Sequence, residues 1–203
     1  MQFLSTLALA LAATSTAQTL FDSGLPEDRA VTYGAVITQK MPWAVQFRAG
    51  SHCGEGQSIE SVEFMVNTLK ATAKDSWIEA DICFSEPGTG LVEGVPGCAN
   101  DSTPMRFNIE KQEKRTLLKW SPPANKTLLP NAKYWLVLTT NVEDSEKAVY
   151  WYHGSTRFGR SNDPKDDALA ATKMLVPWGG MDWVAEEPLD HRRVPHAKIV
   201  ARA

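Results

Sequence analysis

Alternation of apolar and polar side chains with a period of two is the feature that most constrains the fold of this 203-residue chain. Three segments show it: 62–67, 78–84 and 105–110. A strand that is buried on one face and wet on the other produces this pattern, whereas a helix repeats every three to four residues. The three segments therefore predict half-buried β-strands.

One further segment is apolar on both faces. It runs Tyr134-Trp-Leu-Val-Leu-Thr139 and predicts a central strand that is covered on both sides. Shorter strand candidates lie at 33–37, 43–48, 117–120, 149–152 and 197–201, and Pro and Gly clusters separate them. The crossover helices of a parallel sheet are missing. We predict an all-β fold: an antiparallel β-sandwich of the jelly-roll-like kind.

One short helix is predicted near 163–175. Asp163 is a good N-cap and Pro164 suits the first helical position. Asp166 and Asp167 then fall in the first turn, where the helix dipole favours negative charge. Residues 168–174 are mostly good helix formers. A calcium loop built from the same aspartates is the alternative, although no glycine supplies the turn that such a loop needs.

The first 17 residues have the pattern of a secretory signal peptide. A short apolar run from Phe3 to Thr14 precedes Ser15-Thr16-Ala17, whose small side chains suit a cleavage site. The run is too short to span a membrane, and no later apolar run approaches the length of a span. We predict cleavage before Gln18, one β-sandwich domain over 18–203, and a secreted, extracellular protein.

The chain has three cysteines, Cys53, Cys83 and Cys98. In a secreted protein two of them should pair. Cys83 ends a strand-like run and Cys98 follows a turn-rich stretch, so we favour a Cys83–Cys98 disulfide. It would close a loop of about 15 residues, worth on the order of 3 kcal/mol in the chain-entropy model. Cys53 is left over; beside His52 it is a candidate thiol nucleophile, but a buried structural thiol is the favoured interpretation.

The charge of the chain limits its expected partners, and two short sequences mark expected glycosylation sites. The net charge of −3 is small and the Lys and Arg residues are scattered, so nucleic acid is not an expected partner. Asn100 and Asn125 begin N-glycosylation acceptor sequences, and both lie beside turn residues.

Several motifs follow one another in an order that resembles a known group of domains. They are Trp43-Ala-Val-Gln-Phe47, Ile59-Glu-Ser-Val-Glu-Phe64, Gly94-Val-Pro-Gly97, Leu129-Pro-Asn-Ala-Lys-Tyr-Trp-Leu-Val-Leu138, Val149-Tyr-Trp-Tyr152 and Gly179-Gly-Met-Asp-Trp183. Their order resembles the choice-of-anchor group of extracellular β-sandwich domains, in particular type R. The resemblance implies a jelly-roll-like fold and a cell-surface setting, with no established catalytic residues. The chain departs from the pattern in its cysteines and in Asn131-Ala132, which replaces the usual small or Gly turn.

The search for catalytic chemistry finds few candidates. No Gly-x-Ser-x-Gly elbow is present. The remaining histidines, His153, His191 and His196, are not spaced as zinc ligands, so no metal or cofactor is predicted. Glu79 and Asp81 share one face of a strand and are the best-placed carboxylate pair for a glycosidase. Alternating acidic residues are also common on a solvent-exposed sheet face that has no catalytic role.

The aromatic residues are more suggestive, because the chain has seven Trp. Trp77, Trp135 and Trp151 lie in strand runs and are predicted to be core. Trp178 and Trp183 bracket a loop with two glycines, and with Tyr152 they are the tentative ligand-binding residues. A flat aromatic face matches a sugar ring. The alternative is that these Trp residues plug one end of the sandwich, for Trp183 in particular.

These observations predict a secreted, non-catalytic protein that binds carbohydrate or another extracellular surface. One alternative is a secreted glycan-active hydrolase that uses Glu79 and Asp81. The other is an effector-like protein that binds a host protein. Buried carboxylates with shifted pKa values would favour the hydrolase. A flat aromatic patch would favour the binding protein, and a large exposed apolar patch would favour a protein partner.

Overall fold

A computed structural model describes residues 17–27, 34–51, 56–71, 75–87, 94–98, 103–123, 126–158, 169–177, 180–185 and 192–202. In these ranges the chain forms β-strands and one 3₁₀ turn at Ser145–Lys147. The strands make two antiparallel sheets that pack face to face. The predicted all-β, antiparallel sandwich is therefore confirmed.

The first sheet has eight strands. They are β1 (Gln18–Asp22), β2 (Gly34–Ile37), β4 (Gln57–Asn67), β8 (Thr116–Trp120), β9 (Thr127–Leu128), β11 (Val149–Phe158), β14 (Arg192–Pro195) and β15 (Ala197–Ala201). Their order is β1-β15-β4-β11-β14, with β2 paired to β11 and with β8 and β9 paired to β4. The strands that lie next to the N-terminal and C-terminal ends of the described chain are thus hydrogen-bonded neighbours.

The second sheet has seven strands. They are β3 (Trp43–Arg48), β5 (Trp77–Glu86), β6 (Val95–Gly97), β7 (Met105–Asn108), β10 (Lys133–Thr140), β12 (Ala170–Leu175) and β13 (Met181–Ala185). Their order is β13-β12-β3-β10-β5-β6, and β7 also pairs with β5.

The main core lies between the sheets and follows the predicted alternation. Val62, Phe64 and Val66 of β4 point inward and are fully buried. Trp151 of β11 packs edge-on against Phe64, with ring centroids 6.3 Å apart. Its indole N–H donates to the backbone oxygen of His196 at 2.7 Å, which removes the cost of burying that donor.

Strand β10 is covered on both faces, as its sequence predicts. It pairs with β3 on one side and β5 on the other. Leu136 and Leu138 point into the main core. Trp135 and Val137 point to the opposite face of the second sheet, where they belong to a smaller apolar cluster with Cys83. We call this smaller group the outer cluster; Ala44 and Ala171 complete its buried members.

The predicted helix near 163–175 is wrong where the structure describes that stretch. Residues 170–175 form β12, which pairs with β3 through Ala170↔Val45 and with β13 through Leu175↔Met181. Ala170 and Ala171 are small enough for the strand to lie close against its neighbours, and both are buried. Packing against two strands therefore overrides the helix propensity of alanine. Residues 163–168, which carry the capping and calcium alternatives, lie outside the described residues.

The turn before β10 forms without glycine. Asn131 has a φ of 57°, in the left-handed region that Asn tolerates better than most residues. The Ala132 N–H then donates to the Leu129 backbone oxygen at 3.2 Å and closes the turn. Asn131 thus adopts the left-handed conformation that glycine usually provides in such turns.

In the described part of the chain, no helix is long and apolar enough to cross a membrane.

Candidate functional site

The carboxylates of Glu79 and Asp81 both lie on the outer face of the second sheet, as their spacing predicts, but each binds a different cation. Glu79 accepts a hydrogen bond from the Arg106 guanidinium at 2.8 Å. The same guanidinium lies 4.2 Å from the ring centroid of Trp77. Asp81 pairs with the Lys126 ammonium at 2.6 Å. Each of the two carboxylates is therefore held in an ion pair of its own.

A disulfide links Cys83 to Cys98 and confirms the predicted pairing. It lies beside the outer cluster, next to a small polar network. The indole N–H of Trp135 donates to the hydroxyl oxygen of Ser85 at 3.1 Å, and the side-chain amide of Gln46 donates to the same oxygen at 3.4 Å. These bonds satisfy polar groups that would otherwise be costly to bury. The face around the disulfide is therefore a second packed layer of the fold.

One group of potential metal ligands occurs among the described residues. Ligand atoms of Asp81, Cys83 and Cys98 lie within 4.8 Å of one another. Both sulfurs are joined in the disulfide, so neither is a thiolate that can bind a metal. The group cannot hold a metal ion in this redox state.

Two of the three candidate ligand-binding residues, Tyr152 and Trp183, lie apart in the structure. Tyr152 is buried in the first sheet, where its hydroxyl donates to the backbone oxygen of Lys114. Trp183 lies in the second sheet and is half-buried against the outer cluster. Trp178 lies outside the described residues. Tyr152 and Trp183 are therefore on different sheets, and both make packing contacts.

The end of the β12–β13 hairpin exposes large apolar side chains. Leu175 is 72% exposed, and its register partner Met181 is 45% exposed. Met174, on the opposite face of β12, is 39% exposed. The Val176 N–H donates to the Gly180 backbone oxygen at 3.1 Å, so the hairpin is closed beyond these residues. A side chain added at Gly180 would meet no atom within 4 Å, which places this end in open solvent.

A second feature is a cleft at the open side of the sandwich, between β7 of one sheet and β8 of the other. Its volume is about 220 Å³. The floor is apolar and consists of Ile78, Phe107, Ile109 and Leu118. The lining also includes the charged residues of the β7–β8 connection, Glu110, Lys111 and Glu113.

Sequence reasoning missed both surfaces. Met174 and Leu175 fall within the predicted helix. Glu110 falls on the solvent-exposed face at the end of a predicted strand. The alternation at 105–110 identified Phe107 as an inward residue, but it could not show that this strand ends beside the first sheet. Only the pairing of distant strands reveals the cleft.

Two histidines lie in the first sheet or beside it: His153 in β11 is half-buried, and His196 between β14 and β15 is buried. Burial lowers the pKa of His153, and the positive charge of Arg193 lowers it further. Burial also lowers the pKa of His196, an effect that the nearby carboxylates of Asp22 and Glu63 oppose without reversing. Nε2 of His153 and Nδ1 of His196 are buried without a hydrogen-bond partner among the described residues.

Several predicted residues lie outside the described part of the chain. They are the thiol candidate and its neighbour, the two glycosylation acceptors and one histidine: Cys53, His52, Asn100, Asn125 and His191. Comparison with known proteins adds no assignment, since neither a protein-family model nor a curated protein matches the chain.

Proposed function

We propose that this chain is a secreted, non-catalytic binding protein that contacts its extracellular partner through the outward end of the β12–β13 hairpin. The observation that carries the proposal is the exposure of Leu175 and Met181 as a cross-strand pair, with Met174 exposed on the other face. Large apolar side chains grouped in solvent are a feature of interaction sites.

The ion pairs of the second sheet support binding rather than hydrolysis. Glu79 is engaged by Arg106, and Asp81 by Lys126. Each carboxylate is thus already engaged by a cation of the protein. The disulfide is compatible with the oxidising compartment that the signal peptide predicts. The resemblance to choice-of-anchor domains favours a cell-surface setting as well.

A protein surface is the partner that the exposed aliphatic and thioether side chains favour. Apolar side chains enter complementary pockets of a partner protein and release water there. A carbohydrate is the second candidate, because Trp183 lies on the same face as Leu175 and Met181 and is directly opposite Lys173. An indole ring beside an ammonium group can stack on a sugar and donate a hydrogen bond.

The test compares two double variants of the secreted protein. Leu175→Ser with Met181→Ser changes the hairpin end; Leu25→Ser with Leu129→Ser changes two equally exposed leucines elsewhere. Labelled protein is applied to a glycan array and to intact cell surfaces. We expect the hairpin variant to bind at least about fivefold more weakly, the loss that truncated anchor residues usually cause, and the control to bind normally. Equal binding by both variants would rule out the hairpin end.

Pretreatment of the cell surfaces separates the two partner classes. Binding to a protein is lost after protease treatment and survives periodate oxidation, whereas binding to a glycan shows the opposite result. Trp178→Ala extends the test to the aromatic residue of the same loop, for which we expect a loss of roughly 1–3 kcal/mol by analogy with base stacking. Turnover of a glycan that disappears with Glu79→Gln would instead support the hydrolase.

A further inference from the structure

The cleft between β7 and β8 has walls that are held in place. The Thr68 hydroxyl donates to the Lys111 backbone oxygen at 3.0 Å and accepts from the Glu113 N–H at 3.1 Å. The Gln112 side-chain amide donates to the backbone oxygen of Ala71 at 2.6 Å. The Ile109 N–H continues the strand pairing through the Ser76 oxygen at 2.9 Å. The connection between the sheets is therefore fixed, and the cleft does not depend on a ligand to form it.

The floor of the cleft can take an apolar group. Phe107 packs edge-on against Phe64 of the main core, with ring centroids 5.6 Å apart. Phe107 therefore connects the floor of the cleft to the main core. Ile78 and Ile109 are buried beside it. A volume of about 220 Å³ exceeds the roughly 150 Å³ at which an apolar cavity accepts benzene. One six-membered ring with a short substituent fits this space.

The charged residues around the cleft favour one sign of charge on the head group of a ligand. Two carboxylates, Glu110 and Glu113, and one ammonium, Lys111, line it. Among the described residues, the Glu113 carboxylate accepts one long hydrogen bond, from the Thr116 hydroxyl at 3.4 Å. None of the described residues forms an ion pair with Glu110. A cationic head group would be attracted by the excess negative charge, and an anionic one repelled.

We propose that the cleft binds a small amphipathic cation: a single apolar ring or short chain that carries a primary amine. The ring lies on Phe107 and Ile109, and the ammonium lies between the carboxylates of Glu110 and Glu113. This site is separate from the hairpin end, so the result of one test does not determine the result of the other.

The experiment uses three probes that share one ring and differ in charge: phenethylamine, phenethyl alcohol and phenylpropionate. Binding to the purified protein is followed by the shifts of its backbone amide resonances. We expect the amine to bind most tightly and the acid most weakly, and the shifts to centre on Ile109 and Thr116. Equal affinity for all three probes, shifts elsewhere, or no saturable shift would each overturn the proposal.

Matched variants test the carboxylates. Glu110→Gln with Glu113→Gln keeps the shape of both exposed side chains and should weaken amine binding about three- to tenfold, the range for two half-exposed ion pairs. Its affinity for the alcohol should be unchanged. The control is Glu60→Gln in the first half of β4 with Glu86→Gln at the end of β5, both away from the residues that line the cleft. Full amine binding by the first variant, or a similar loss in the control, would show that these carboxylates do not select the ligand.

Discussion

His196 is buried and His153 is half-buried, and burial makes the protonation of both matter for stability. Each has a pKa below the ordinary value of 6.5, with burial as the main cause. In the unfolded chain both would titrate normally. As the pH falls below 6.5, the unfolded state therefore binds protons that the folded state does not bind. Their contribution to stability is complete above that pH and is lost toward the lower folded-state pKa values.

We predict that the free energy of unfolding falls between about pH 7 and pH 5, and that His153→Gln with His196→Gln reduces this fall, since glutamine stays neutral throughout. Urea denaturation at a series of pH values measures the slope. The comparison concerns slopes, so a constant loss of stability in the variant does not affect it. Equal slopes in both proteins would show that these histidines do not account for the pH dependence.

At the scale of elements, β10 and β12 show what the sequence could predict. β10 was predicted correctly because Tyr134 to Leu138 are large and apolar at every position, as suits a strand covered on both faces. β12 was missed because alanine carries little side-chain information and the preceding Asp-Pro is a strong local helix signal. Edge strands such as β13 and β14 are short, so their pairing comes from distant neighbours rather than from their own pattern.

The candidate surfaces were harder to predict because they also depend on segments that are distant in the sequence. The sequence placed Glu79 and Asp81 on one face correctly, but the cations that hold them, Arg106 and Lys126, come from other segments. The disulfide was predictable because its two cysteines flank one turn-rich stretch. The cleft depends on β7 and β8 lying in different sheets, and a pattern with a period of two carries no information about that.

We predict that Leu136→Ala in β10 lowers the free energy of unfolding by roughly 2–5 kcal/mol, the usual cost of deleting a packed leucine. Leu136 is fully buried between two strands. Leu117→Ala in β8 is the control, since that leucine is 50% exposed and its loss should change stability by less than about 0.5 kcal/mol. Equal effects in chemical denaturation would contradict the assignment of β10 as the central strand.

At the scale of the whole molecule, β1 begins at Gln18, the residue that the predicted cleavage would leave at the N-terminus. Gln18 pairs with Ala201, and its side-chain oxygen accepts a hydrogen bond from Gln57 at 2.9 Å. Cleavage there keeps the whole edge strand, whereas cleavage after Asp22 would remove it.

We predict that N-terminal sequencing of the secreted protein begins at Gln18 or within a few residues of it. Ala17→Trp should block this cleavage, because a bulky side chain does not fit the position before the cut, while Ala17→Ser should leave it unchanged. A secreted product that retains Met1 would contradict the predicted cleavage of the signal peptide.

The position of β15 has a consequence for how the protein is made. β15 lies between β1 and β4, and its Ile199 is fully buried. Both neighbours are synthesised long before it, with a delay on the order of ten seconds at ordinary translation rates. During that time one edge of β4 has no partner, and an open edge invites pairing with other chains. Chaperones that shield unpaired strands during synthesis should therefore raise the yield of this protein.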